Sequence, residues 1–171
     1  MEKLFIHSFE TKIGLIRTAA TRKGLAVVCL PGESRSSFEA TLSRLFPHHE
    51  RQTGGSINLR AEKQIQGYLE GRRRSFSIKL DIRGTAFQRL ALGQVSAIPY
   101  GKTMSYGQIA EAIGHPKASR AVGMANAGNN LPIVIPCHRV VASNGLGGYG
   151  GGLPMKIKLL QMEGALRTNR S

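Results

Sequence analysis

Ile133-Val134-Ile135-Pro136-Cys137-His138-Arg139-Val140 is the stretch around which the rest of this chain is organised. A short β-branched apolar run reads as a buried strand. Pro136 ends it, since proline lacks an N–H and fixes its own φ. A thiol, an imidazole and a guanidinium then follow in immediate succession. Two readings of Cys137 stand side by side. It is a buried structural residue, as most free cysteines are, or it is a thiol activated by its neighbours. The surrounding sequence decides between them.

Downstream, residues 144–152 form a glycine-rich loop. It is not a phosphate-binding P-loop: Lys156 is followed by Ile157 rather than Ser or Thr, and the Gly-x4-Gly-Lys spacing is absent. Glycine backbone can instead approach a flat ligand such as a base closely. Pro154 then opens a last helix with Met155, Leu159, Leu160 and Met162 on its apolar side. Glu163 ends that helix before Gly164. A carboxylate at a helix C-terminus opposes the macrodipole, which implies a specific cationic or hydrogen-bonding partner, and His138 is the candidate.

Upstream, Thr85-x-x-Gln88 and Ser105-x-x-Gln108 are capping boxes. Phe87, Leu90, Ala91, Val95 and Ile98 mark the face of one helix, and Tyr106, Ile109, Ala110 and Ile113 that of the next. Gly114-His115-Pro116 breaks the pattern before a third helix near 117–127. Two short helices across a tight glycine-containing turn make a helix-turn-helix candidate. Its second helix carries Ser119, Arg120, Ala121 and Gly123, one long cation among small side chains. Such a surface lets the backbone come close to a nucleic-acid groove while Arg120 reaches into the duplex. An ordinary helical hairpin packed in a core is the alternative.

The first part of the chain reads differently. Residues 4–9, 13–19 and 25–30 read as three short strands of an antiparallel meander, punctuated by Gly14 and the Thr21-Arg22-Lys23-Gly24 turn. Ser36-x-x-Glu39 predicts a capped helix carrying Phe38, Leu42, Leu45 and Phe46 and stopped by Pro47, with His48 and His49 solvated beyond it. A second helix is expected over 59–70, with Asn58 as cap, Gly71 after its end, and Ala61, Ile65, Tyr68 and Leu69 inward. Arg72-Arg73-Arg74 follows, either to contact phosphate or as a basic surface loop, and 76–80 alternates as one more strand. Cys29 falls inside the third strand with no zinc-type Cys/His cluster around it. The boundary between the two parts is expected at 82/83.

Composition bounds the function. The chain has 171 residues and a formal net charge of +14, from 24 basic and 10 acidic side chains. Such an excess points to a polyanion, most simply nucleic acid. From Gly84 onward the only acids are Glu111 and Glu163, so this half meets phosphates without repulsion. Two distant cysteines make no disulfide framework and fit a reducing compartment. No apolar run has transmembrane length, and the N-terminus lacks a signal-peptide core. The expectation is a soluble cytoplasmic protein, associated with the nucleoid, or nuclear in a eukaryotic source, with no membrane partner.

Pro136-Cys137-His138-Arg139-Val140 resembles the active-site signature of the O6-alkylguanine-DNA alkyltransferases, the methylated-DNA–protein-cysteine methyltransferases. The resemblance runs through Gly84-Thr85-x-Phe87-Gln88, Ile98-Pro99-Tyr100-Gly101, Ser105-Tyr106, Ser119-Arg120-Ala121-Val122-Gly123, Asn129, Tyr149-x-Gly151-Gly152 and Leu159-Leu160-x-x-Glu163-Gly164. It implies an α+β protein. Residues 1–82 would form a ribonuclease-H-like antiparallel sheet with helices. Residues 83–171 would form a mostly helical, winged-helix/helix-turn-helix domain that binds DNA and carries the reactive cysteine.

The same resemblance implies the roles. Cys137 accepts the alkyl group, and His138 and Glu163 activate it through water. Tyr106 assists base flipping and protonates the departing guanine. Arg120 is the finger that replaces the flipped nucleotide, with Ser119, Ala121 and Gly123 against the minor groove. Asn129 ties the helix-turn-helix to the active-site turn. Val140, Tyr149, Gly150, Gly151 and Lys156 line the guanine pocket. The substrate is double-stranded DNA containing O6-alkylguanine, with O4-alkylthymine and cooperative assembly on DNA left open. No cofactor or metal is implied, and the acting species is a monomer. Two rivals remain: a binding module that holds alkylated DNA without reacting, and a cysteine hydrolase built on Cys137, His138 and Glu163. The thiol argues against the first, and the neighbouring helix-turn-helix against the second.

Overall fold

The computed structural model describes residues 1–167. The chain divides into two compact units, Met1–Arg83 and a second beginning at Gly84. Both mix or juxtapose α and β elements, the α+β class anticipated from sequence. No helix among the described residues is long and apolar enough to cross a membrane.

The first unit is a four-stranded sheet with two helices. Strands β1 (Lys3–Thr11), β2 (Gly14–Ala20) and β3 (Leu25–Cys29) form the antiparallel meander. A fourth strand, β4 (Glu50–Thr53), adds to the free edge of β1 in parallel, pairing Lys3 with Glu50 and Ile6 with Thr53. Sequence reading missed β4 because Glu-Arg-Gln-Thr has no apolar alternation; backbone pairing at a sheet edge alone makes it a strand. Helix α1 (Arg35–Leu45) lays Phe38, Leu42 and the following Phe46 against Leu4, Ala19, Val27 and Cys29. Its N-cap is Ser34, whose Oγ accepts from Ser37 N at 3.1 Å. The expected Ser36–Glu39 box is therefore not formed, and Glu39 pairs instead with Arg51 of β4. His49 is also less solvated than expected: its ring meets Phe46 edge-on at 5.0 Å and bonds Glu2 at 3.0 Å.

Helix α2 (Ser56–Leu69) begins two residues ahead of the anticipated cap. Asn58 lies within its first turn, fully buried, and donates to Phe5 O at 2.9 Å and Gly54 O at 2.7 Å. It staples the helix to β1 rather than capping it. Ala61, Ile65, Tyr68 and Leu69 are all completely buried, as their spacing predicts. Residues 76–80 do not form the expected strand. Ser77 is held by Gln64, through Ser77 N to Oε1 at 2.9 Å and Nε2 to Ser77 Oγ at 3.0 Å. Only a single bridge, Leu25 with Leu80, joins the segment to β3. Its backbone groups are claimed by a side chain before a ladder can extend.

The second unit is helical around one small ladder. Helix α3 (Ala86–Ser96) and helix α4 (Tyr106–Ala112) both carry complete capping boxes, on Thr85/Gln88 and Ser105/Gln108. Strand β5 (Met104–Ser105) leads directly into α4. Helix α5 (Ser119–Ala127) follows a turn that reverses at Gly114, with φ 78°. A single 3-10 turn, Cys137–Arg139, precedes β6 (Val140–Val141), which pairs in parallel with β5. Helix α6 (Leu153–Met162) closes the unit, with Pro154 in its first turn.

The anticipated strand at 133–135 is absent. Ile133, Val134 and Ile135 are buried, at 1%, 9% and 0% exposure, but they belong to a turn. Ile133 has φ 73°, a left-handed conformation that disfavours a β-branched residue by about 1–3 kcal/mol. An apolar run says that a segment is buried, not that it is extended.

Gly24 offers a test of the first unit. A Cβ there would stand 2.5 Å from Lys79 O and 2.7 Å from the Leu80 carbonyl carbon. Both are backbone atoms, so neither swings away. Gly24→Ala should lower stability by about 1–3 kcal/mol, read as a lower urea midpoint with an unchanged slope. An unchanged midpoint would mean that residues 79–80 are not packed on this turn.

Candidate active site

Cys137 is the first residue of the 3-10 turn. Its carbonyl accepts from Val140 N, which closes the turn, and from Asn126 Nδ2 at 3.3 Å. Asn129 organises the run before it: Nδ2 donates to Ile135 O at 3.0 Å and Oδ1 accepts from Leu131 N at 2.9 Å. Two asparagines, one within α5 and one just beyond it, thus tie the helix-turn-helix to the cysteine turn. The sequence motifs point to Asn129 alone; Asn126 sits at a helical core position and carries no sequence signal of its own.

His138 is fully buried, and its Nε2 lies 2.8 Å from Glu163 Oε2. This is the partner anticipated for a carboxylate at the end of α6. A carboxylate only accepts, so Nε2 carries the proton and Nδ1 holds the lone pair. Nδ1 is buried with no hydrogen-bond partner among the described residues. Burial lowers the His138 pKa; the Glu163 contact opposes this, while Arg139 and Lys156 reinforce it. The imidazole is therefore neutral near pH 7 and able to accept a proton.

Arg139 has a structural part that the sequence left undecided. Its Nε donates to Glu163 Oε1 at 2.8 Å, Nη2 to Oε2 at 2.9 Å, and Nη1 to Ile98 O at 2.7 Å. Tyr100 lies beneath the guanidinium, 5.6 Å from ring centre to Cζ. Gly101, at φ 79°, comes close enough that a Cβ would sit 3.1 Å from Glu163 O. The Ile98-Pro99-Tyr100-Gly101 stretch thus forms the seat of this buried pair.

Cys137 opens onto a cavity of about 390 Å³ lined by Tyr106, Gly123, Asn126, Ala127, Cys137, Gly148, Tyr149 and Gly150. Two tyrosines and bare glycine backbone suit a flat heteroaromatic ring. Gly147 makes room for Tyr106: at φ 72°, a Cβ on it would meet the phenol oxygen at 2.7 Å. Val140, Gly151 and Lys156 stand outside this lining. Lys156 is completely buried and donates from Nζ to Val140 O at 2.7 Å and Gly148 O at 3.0 Å. It fastens the glycine loop to β6 instead of presenting its ammonium to a ligand. Ser119 is half-buried on α5, and Arg120 and Ala121 are exposed there.

Burial pushes the Cys137 thiol up to about 11, although Asn129, the Lys156 charge, a backbone N–H and Tyr149 each favour the thiolate. The resting group is a thiol. Cys29 is pushed up further, to about 12, by burial and by Glu33. It lies in β3, 1% exposed, within the core of the first unit.

The family model described as 6-O-methylguanine DNA methyltransferase, DNA binding domain, matches residues 86–165. A methylated-DNA–protein-cysteine methyltransferase of Methanosarcina acetivorans is 49% identical over 158 residues, covering 92% of this chain and 96% of its own. Among solved structures, Mycobacterium tuberculosis OGT in complex with DNA aligns at TM-score 0.80 and 34% identity, over 94% of this chain and 93% of that one. An O6-methylguanine-DNA methyltransferase from Pyrococcus kodakaraensis aligns at TM-score 0.64 and 25% identity, over 94% and 99%. By these likenesses the chain belongs to the methylated-DNA–protein-cysteine methyltransferase family. Its members repair DNA by moving an alkyl group onto a cysteine of the protein itself.

The raised pKa of Cys137 fixes a pH dependence. Below about 11 the thiolate fraction rises tenfold per pH unit, so at pH 7 only about one thiol in ten thousand is ionised. Carbamidomethylation by iodoacetamide without DNA, followed by intact mass between pH 6 and 9, should accelerate about tenfold per unit. A rate flat across that range would mean a preformed thiolate.

Proposed function

We propose that Cys137 is the acceptor and that the chain removes the alkyl group from O6-alkylguanine in duplex DNA, once per molecule. The observation that carries this reading is the cavity joining Cys137 to Tyr106, Tyr149 and the Gly148–Gly150 backbone. The target carbon lies within the base stack, so the nucleotide must be extruded. Exposed Arg120 on α5 fills the gap it leaves, while the small side chains of Ser119, Ala121 and Gly123 allow close approach in the minor groove. The second unit then carries both DNA binding and alkyl transfer, and a single molecule suffices.

The chemistry follows from the resting protonation states. The Cys137 proton passes through a water to His138 Nδ1, and Glu163 stabilises the imidazolium through Nε2. Sulfur attacks the alkyl carbon as its bond to O6 breaks, and that electron pair leaves with guanine. Tyr106 donates a proton to the departing base and is reprotonated at the expense of His138. The net change is thiol plus alkylguanine to thioether plus guanine, without a cofactor. A thioether offers no carbonyl for water to attack, so the protein is consumed. Such work belongs where chromosomal DNA lies, in the cytoplasm and nucleoid.

Incubation with a duplex containing O6-methylguanine should add one methyl group to the intact protein mass, on Cys137, and Cys137→Ala should abolish it. Tight binding with no mass change would leave only a binding module. Arg120→Ala should slow transfer from duplex DNA by roughly 10-fold or more while sparing transfer from a free O6-alkylguanine base, since unstacking costs a few kcal/mol. Equal losses on both substrates would remove the finger role.

A further inference from the structure

The basic loop Arg72-Arg73-Arg74 plays no part in the site above, yet the first unit folds it into a cavity of its own. Helix α2 aligns Arg60, Lys63, Gln64 and Gly67 at successive-turn spacing on one face. After α2 the chain reverses at Gly71, φ 76°. Arg72 N and Arg73 N then donate to Gly67 O at 2.8 and 3.1 Å, which returns the arginine loop to the same face. The result is a cavity of about 450 Å³ lined by Arg60, Lys63, Gln64, Gly67, Arg72, Arg73 and Ser77.

Its walls are braced. Gln64 holds Ser77 through both ends of its amide, and Arg73 Nη1 donates to Ser75 O at 2.9 Å. Glu70 offsets one charge by pairing with Arg72. Arg60 and Lys63 pair with no carboxylate among the described residues, and no acid lines the cavity. The lining also holds no aromatic ring and no large apolar side chain. It offers cations and small polar groups to an anion and nothing for a base to stack on.

We propose that this cavity is a second phosphate-binding site, for the phosphodiester backbone of DNA, separate from the helix-turn-helix. Guanidinium forks match phosphate oxygens in pairs, and a site without a stacking surface reads backbone rather than sequence. The proposal rests on the family's DNA substrate and is independent of the role given to Cys137. Within a chain whose known work is on DNA, the backbone is the phosphate source met continuously.

Arg60→Ala/Lys63→Ala/Arg73→Ala in the full chain tests it against Lys3→Ala/Arg22→Ala/Lys23→Ala, which removes three charges elsewhere on the same unit. The readout is affinity for an undamaged duplex as a function of salt. Loss of two or three phosphate contacts should flatten the log–log slope by about 2–3 and weaken binding roughly 10- to 100-fold at low salt. The control variant should change the slope by less than one. Equal changes in both variants, or none in either, would overturn the proposal. A pyrophosphate arm separates the sources: thermal protection of wild type lost in the first variant, with its DNA slope intact, would assign the cavity to small anions and overturn the DNA reading. Methyl transfer from a free O6-alkylguanine base and the urea midpoint should match wild type in both variants. Loss of that transfer in wild type itself would count against Cys137 and leave the salt slopes to judge the cavity.

Discussion

Everything in the second unit depends on one buried carboxylate. Glu163 sits at the C-terminal end of α6, where the helix dipole opposes it, and is 6% exposed. A charge so placed is tolerable only if its oxygens are satisfied. Arg139 holds both oxygens in a fork and His138 takes one of them. Removing a partner from a buried pair of this kind costs about 3–5 kcal/mol, chiefly because the remaining charge is stranded. The network therefore fixes the 3-10 turn, and with it the position of the sulfur.

The same network divides two tasks between neighbouring residues. Arg139 balances the charge of Glu163 and reinforces the burial that keeps His138 neutral. Lys156 clamps the glycine loop to β6 through two carbonyls, and its charge favours the Cys137 thiolate. Burial keeps both the thiol and the imidazole uncharged at rest. A thiol held in this form reacts slowly with small alkylating and oxidising reagents.

The architecture around the turn explains why short, scattered motifs were informative. Ile98 supplies a carbonyl to Arg139, Tyr100 its aromatic floor, and Gly101 the close approach to Glu163. The two-residue ladder between β5 and β6 brings Met104 and Ser105 beside Val140 and Val141, so that α4 starts with Tyr106 at the cavity. Asn126 and Asn129 connect α5 to the same turn. Residues some 40 positions apart in sequence thus serve one small volume.

The sequence by itself determined the helices with capping boxes at Thr85 and Ser105, the meander, the buried face of α2, and the Cys-His-Glu constellation. These are legible because caps, periodicity and reactive side chains are local properties of the chain. It misread residues 133–135, whose apolar run is a buried turn with Ile133 left-handed, and it missed β4, which has no apolar residue to betray it. It also placed two caps wrongly, since Ser34 and Gly55 outcompeted Ser36 and Asn58 for the start of their helices. Only the tertiary structure decided that Arg139 rather than His138 alone secures Glu163, that Lys156 is a clamp, and that Cys137 rests as a thiol. Each of these is a matter of burial and of which distant group arrives within hydrogen-bond reach, and no local pattern encodes that.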